Sequence, residues 1–221
     1  MLTLVLALAG SPLPCPQLPL RAGTSWTYRA QVSWTPAGAA ASRDTTITWT
    51  TLVLSVRSRD SVRVAVVQDW PTALAWWEPG HPPDTSLVAC FANHVYHVSR
   101  SGGTLSGLAD SLLASLGQLS PDDLFLELPL RTGDLYGRDP GDRPDTFYAW
   151  YVESSAPVNS LLTGLGAPAG DSLYTLIYRT MPDHQILDFV PGVGVARYVY
   201  SHHGTVAAAS AALVTTRRPA P

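Results

Sequence analysis

The chain contains no lysine; all 14 of its basic residues are arginine. That absence excludes Schiff-base catalysis, a lysine general base and the lysine-dependent phosphate loop. Charge of either sign is scarce, at 14% of residues with a formal net charge of −3, so there is no basic footprint for nucleic acid. Cysteine is limited to two residues. A chain of 221 residues needs no covalent staples, because a globule of that size buries roughly 70% of its unfolded surface. Long apolar runs are missing too: Leu2 to Ala9 falls well short of the ~20 residues that span a bilayer. The chain is rich instead in hydrophobic residues, at 46%, with seven tryptophans and nine tyrosines, a composition that folds rather than stays disordered.

The first residues read as a targeting segment. A short apolar stretch leads to Ala7-Leu8-Ala9, the small-x-small form of a signal-peptidase site, although no basic residue precedes it. Pro12, Pro14, Pro16 and Pro19 then forbid regular structure. Residues 1–17 are expected to be an export segment and proline-rich linker, and 18–221 a single β domain in the cell envelope or outside the cell. Cys15 lacks a lipobox, since Pro12-Leu13-Pro14 precedes it. Cys15 and Cys90 fit either one disulfide or two separate thiols.

Period-two alternation dominates the rest of the chain. In WTYRAQVSW, Trp26, Tyr28, Ala30, Val32 and Trp34 point one way while Thr27, Arg29, Gln31 and Ser33 point the other. The same rhythm marks Thr45–Val56, Ser61–Trp70, Thr72–Trp77, Ser86–Phe91, Val95–Val98, Thr146–Ser154, Ser172–Thr180, His184–Val190, Val195–His202 and Thr205–Thr216. One stretch, Gly107 to Leu116, has helical spacing instead. Tyr136 to Asp145, rich in Pro, Gly and Asp, reads as a loop. The expected fold is mainly β: a curved antiparallel sheet or incomplete barrel of about ten strands, with one short helix. A short echo, LPLRAG at Leu18–Gly23 and LPLRTG at Leu128–Gly133, has an aromatic residue three places on in each copy, Trp26 and Tyr136. It reads as one strand-leading device used twice.

Several patterns invite chemistry. Gly192 and Gly194 begin a dinucleotide fingerprint, but Arg197 stands at the third glycine and a strand follows, so a turn is expected. His202 and His203, with His184 and Asp188, would make a metal-assisted hydrolytic rim only if their side chains converge, and alternation sends strand neighbours apart. Cys90, His94 and His97 have a zinc-compatible spacing, yet His94 and His97 differ in parity. Asp134, Asp139, Asp142 and Asp145 could hold calcium, but they lack EF-hand spacing and have Arg138 and Arg143 among them. No pattern calls for a cofactor. Trp26, Trp34, Trp49, Trp76, Trp77 and Trp150 could line an apolar groove on the concave face of the sheet if the helix covers it incompletely.

Three stretches, LPLRAGTSWTY, FYAWYVES and DFVPGVGVARYVYSHHGT, resemble a group of exported bacterial proteins, many of them lipoproteins, with the motifs PLxxGxxWxY and FxPGVG…YxHHGT. The resemblance implies location and a strand-rich plan, and no activity. By analogy the plan is also similar to the LolA/LolB-like fold, an incomplete barrel around a lipid cavity. The expected role is non-enzymatic binding of an apolar molecule, a glycan or an envelope partner, with membrane association only through a lipid anchor. A hydrolase and a purely structural surface module are the alternatives.

Overall fold

The computed structural model describes residues 17–36, 38–80, 82–99, 105–114, 119–138, 145–202 and 206–219. Twelve strands run in chain order: β1 Ser25–Trp34, β2 Arg43–Arg59, β3 Val62–Gln68, β4 Thr85–Phe91, β5 His94–Val98, β6 Leu124–Glu127, β7 Leu135–Tyr136, β8 Trp150–Pro157, β9 Ser172–Arg179, β10 Asp183–Val190, β11 Gly194–His202 and β12 Val206–Arg217. They form one antiparallel meander whose first and last strands, β1 and β12, also pair. Among the described residues, only β6 and β7 are left side by side without a ladder. That seam is crossed by the Tyr136 hydroxyl, which donates to the Phe125 carbonyl at 3.2 Å, and by the edge-to-face pair Phe125–Trp150 at 5.6 Å. Gly137 turns the chain at this seam with a φ of 88°, a conformation that favours glycine. The sheet is therefore a nearly closed barrel, and strand edges that would invite aggregation are mostly removed.

Alternation assigns the faces as expected along β1. Trp26, Tyr28, Ala30 and Val32 are buried inside and Arg29 and Gln31 are exposed. Two buried polar tips find carbonyls across the barrel, Trp26 Nε1 to Val193 at 2.6 Å and Tyr28 Oη to Val195 at 3.0 Å. Each satisfied donor avoids a desolvation cost of about 1–3 kcal/mol.

The alternating pattern misleads at Thr72–Trp77. This segment is not a strand but part of a 3-10 helix, Pro71–Trp76, opened by a proline that needs no N–H partner and closed by Ala73 N to Trp70 O and Trp77 N to Leu74 O. It lies between β3 and β4 in sequence, crosses the concave side, and packs Ala73, Leu74 and Ala75 into the main core opposite β11 and β12. The expected helix is α1, Leu105–Ala114, two residues earlier than its spacing implied, and it covers the convex side instead of the concave one. The reason is visible in β3 and β4, which are apolar on both faces. Val62, Val64, Leu87 and Ala89 point outward and join Ala109 and Leu112 of α1 in a second, smaller core. Twelve strands occur among the described residues against about ten expected; β6 and β7 are too short to show a rhythm. A further short helix, α2 at Ser160–Gly164, is capped by Asn159 Oδ1, which accepts from Leu162 N at 3.0 Å. The turn between β2 and β3 is tight, with β2 running to Arg59 and Asp60 in the left-handed region.

The sequence echo marks a structural duplication. Arg21 to Thr24 makes a turn with Thr24 N to Arg21 O at 2.9 Å, and Gly23 N and Val53 N exchange bonds with Val53 O and Thr24 O. Arg131 to Asp134 repeats it: Asp134 N to Arg131 O at 3.0 Å, with Gly133 N to Val152 O and Val152 N to Asp134 O. Val53 and Val152 each start a register shift in the strand they belong to. Each device docks on a hairpin of the other half, Gly192 N to Gln17 O and Leu128 N to Asn93 O. Leu18, Leu20, Leu128 and Leu130 are all buried, so the two devices plug the end of the barrel at which β1 begins. Each such leucine contributes roughly 1.5–3 kcal/mol of burial.

The glycine pair is a turn between β10 and β11, with φ of 73° at Gly192 and 113° at Gly194. A Cβ on Gly192 meets nothing within 4 Å, whereas one on Gly194 would sit 3.1 Å from Trp26 Nε1 and 3.4 Å from Leu18 Cδ1. Gly192→Ala should therefore cost about 1 kcal/mol in urea unfolding, from φ alone. Gly194→Ala should cost about 3 kcal/mol, from φ plus the clash. Equal costs would contradict this packing.

Candidate functional site

The two ends of the barrel differ in kind. The end where β1 begins is filled by the leucine plugs; at the end where β1 finishes, inward positions turn polar. On β10, Leu187 and Phe189 are in the core, while Asp183 and Gln185, on the same face nearer the rim, line cavities. On β11, Tyr198 and Tyr200 follow the same inward parity.

Two cavities flank the 3-10 helix at this rim and share Thr72, His97 and Gln185. One, of about 220 Å3, runs toward the β6/β7 seam and is lined by Phe125, Trp150 and Tyr178, with Asp122 and Asp123 at its edge. The other, of about 210 Å3, lies over Trp76, Tyr198 and Tyr200, with Asp84 and Asp183. A larger hollow of about 680 Å3 is an open groove on the outside of β2, β1, β12 and β11. Most of its lining belongs to the outward alternates, such as Gln31, Ser33, Thr46, Ala208 and Ser210, and Asp44 is the one charged residue among those described there. The rim cavities differ from the groove in kind: they bring aromatic rings together with carboxylate, amide and imidazole groups, whereas the groove is lined mainly by small and short polar side chains.

His97 is central to the rim. Its Nε2 is 2.9 Å from Ser86 Oγ, its ring stacks on Trp70 at 5.6 Å, and it meets the edge of Phe125 at 6.4 Å. Burial lowers its pKa to about 4, so the ring is neutral at ordinary pH. Beside it, the Tyr198 hydroxyl donates to Gln185 Oε1 at 3.1 Å. Asp183 accepts from Tyr200 Oη at 2.8 Å, from Thr180 Oγ1 at 3.3 Å, and from His202 Nδ1 in a short bond. Burial works against the ionised carboxyl, but these bonds outweigh it and hold Asp183 below the usual carboxylate value. Burial and the Asp183 contact push the Tyr200 hydroxyl up, so it acts as a donor only.

The residues singled out from sequence are dispersed. His184 and Asp188 lie on the outer face of β10, where Asp188 accepts from Arg197 Nε at 2.6 Å and from Thr175 Oγ1 at 2.9 Å. His202 belongs to the inner rim and pairs with Asp183 instead, so these three do not converge. His203 lies outside the described residues, as do Asp139, Asp142 and Cys15. Cys90 is buried in β4. His94 faces outward near Glu127 and His97 inward, as their parity requires, and no cluster of three metal-ligating residues occurs among the described residues. Of the six tryptophans, Trp76 and Trp150 line the rim cavities. Trp34 and Trp77 pack edge to face at 5.2 Å. Trp26 and Trp49 are in the core, and Trp49 Nε1 donates to Asp69 O at 2.9 Å. Thr72, Phe125, Tyr178, Gln185 and Asp183 were not anticipated. A polar residue on the inward parity near a strand end is the signal that could have found Gln185 and Asp183.

The chain matches no protein-family model and no curated protein sequence. Among solved structures it is similar to a Bacteroides fragilis protein described as exported and as having a YmcC-like fold. That pair shares 13% identity over 91% of this chain and 98% of the other, with a TM-score of 0.43. It is also similar to a Parabacteroides distasonis protein described as a lipoprotein, with 11% identity over 94% and 100% of the two chains and a TM-score of 0.45.

The depressed His97 value has a testable sign. The unfolded chain protonates near 6.5 and the folded one near 4, so this contribution is fully present above pH 6.5 and is lost as pH falls toward 4. Urea unfolding should lose roughly 3 kcal/mol across that window. His97→Gln should flatten the slope, and an unchanged slope would contradict a buried neutral ring.

Proposed function

We propose that this is a protein exported to the cell envelope that binds a small polar ligand, without acting on it chemically, in the rim cleft around the 3-10 helix. The observation that carries the reading is the pair of adjoining cavities at the unplugged end. Aromatic rings and hydrogen-bonding groups converge there, while the barrel interior below is occupied by Tyr28, Phe189, Tyr198 and Leu74. An acyl chain needs a long apolar void, and the large side chains and the 3-10 helix take up that space; a compact polar ligand needs only the rim. Export is supported by the apolar run from Leu2 to Ala9 with its small-x-small end.

Indole N–H resonances give a direct test on the full chain. Titration with a panel of glucose, N-acetylglucosamine, choline, glycine betaine and octanoate should bring at least one polar compound that shifts Trp76 and Trp150 and leaves Trp26 and Trp49 in place. Shifts at Trp26 or Trp49 with octanoate alone, or no shift with any polar compound, would refute rim binding. For location, recovery of unprocessed full-length chain in the cytosol of the native host would sink the export assignment.

A further inference from the structure

Within that reading, and resting on it, we infer that the seam-side cavity is an aromatic cage for an alkylammonium group, the head of a choline-like ligand. The geometry of its walls is the first argument. Phe125 meets Trp150 at 80° and 5.6 Å, Trp150 meets Tyr178 at 47° and 5.3 Å, and His97 meets Phe125 at 68° and 6.4 Å. Rings set steeply to one another line a hollow of about 220 Å3. A sugar ring stacks on one broad open aromatic face, whereas a tetrahedral cation is served by several rings at once, each turning the electron-rich part of its quadrupole inward.

Charge is the second argument. Asp122 is exposed, and its carboxylate has no partner among the described residues. It lies close enough to Tyr178 to help burial push that phenol up. Asp123 stands next to it and accepts from Ser120 N at 2.9 Å. Among the described residues no arginine lines the cavity, and the chain has no lysine. His97, the one basic ring, is kept neutral by its surroundings and serves as a wall. Gln185 already accepts from Tyr198 through Oε1, which leaves its amide N–H groups, with Thr72, to meet a polar tail.

The test compares choline with 3,3-dimethylbutan-1-ol, which has the same shape without the charge, on the full chain by indole shift and tryptophan fluorescence. Choline should bind and perturb Trp150, and the neutral isostere should bind at least ~10-fold more weakly. Asp122→Asn changes an exposed side chain and should weaken choline ~3–10-fold while leaving the isostere unchanged. Tyr178→Leu should weaken choline further, with the Trp26 and Trp49 resonances reporting that the fold is intact. Equal affinity for choline and isostere, or no effect of Asp122→Asn, overturns the cage. If choline fails while a sugar shifts the same indoles, the cage is refuted and rim binding stands; if nothing shifts them, both fall. Retention on phosphatidylcholine over phosphatidylglycerol vesicles would assign a lipid headgroup, and binding of choline without retention a soluble ligand; either upholds the cage.

Discussion

The pairing of β1 with β12 turns a meander into a vessel. Antiparallel strands joined by short turns need only their neighbours, so twelve of them could lie as an open sheet with one face bare. Once the first strand zips to the last, the inward alternates of all strands share one interior, and the other features of the fold are ways of filling it. Trp26 and Tyr28 reach across to carbonyls at the start of β11. The leucine devices seal one end, and the 3-10 helix crosses the space that remains. At the other end, inward positions of β10 and β11 carry polar side chains that find hydrogen-bond partners at the rim.

The duplication explains why closure is uneven. In a head-to-tail repeat of six strands, the β12/β1 junction and the β6/β7 junction are equivalent places. Both are prepared alike, by an LPLRxG turn, a valine at a register shift, and an aromatic side chain whose polar tip donates to a carbonyl. Yet β1 is long and pairs along its length with β12, while β7 has two residues and pairs only with β8. Trp26 and Tyr136 occupy matching positions and do the same job with different reach.

Much of this was legible in the residues. The strands of β1, β9, β10 and β11 follow their rhythm closely, and parity correctly separated His94 from His97 and turned the glycine pair into a corner. Thr72–Trp77 failed because six residues are too few for alternation to distinguish a strand from a 3-10 helix, which here buries Ala73, Leu74 and Ala75 consecutively; Pro71 was the local clue. The side of the sheet that α1 covers was also written in the sequence, since VRVAVV and SLVACF are apolar at consecutive positions and so need cover on both faces. The rim was harder. It assembles Thr72, His97, Phe125, Trp150, Tyr178 and Gln185 from six separate segments, and no spacing along the chain records contacts made by closure of a sheet. The LPLRxG echo was visible, but that it heads two equivalent halves required the hydrogen bonds.

The short β7 and the seam cavity are two aspects of one fact. Had β7 matched β1 in length, its backbone would have continued past Tyr136 alongside β6, and its inward side chains would have filled the hollow that Phe125 and Trp150 line. Instead the chain turns away at Gly137, and the pair is left facing a hollow. Aromatic rings that would be ordinary core in a fully zipped barrel become the lining of a cavity. Such a cavity also inherits the negative edge of the Pro121–Asp123 turn that leads into β6. The shortness of β7, two residues against ten in β1, thus accounts for the shape and the aromatic walls of the seam-side cavity together.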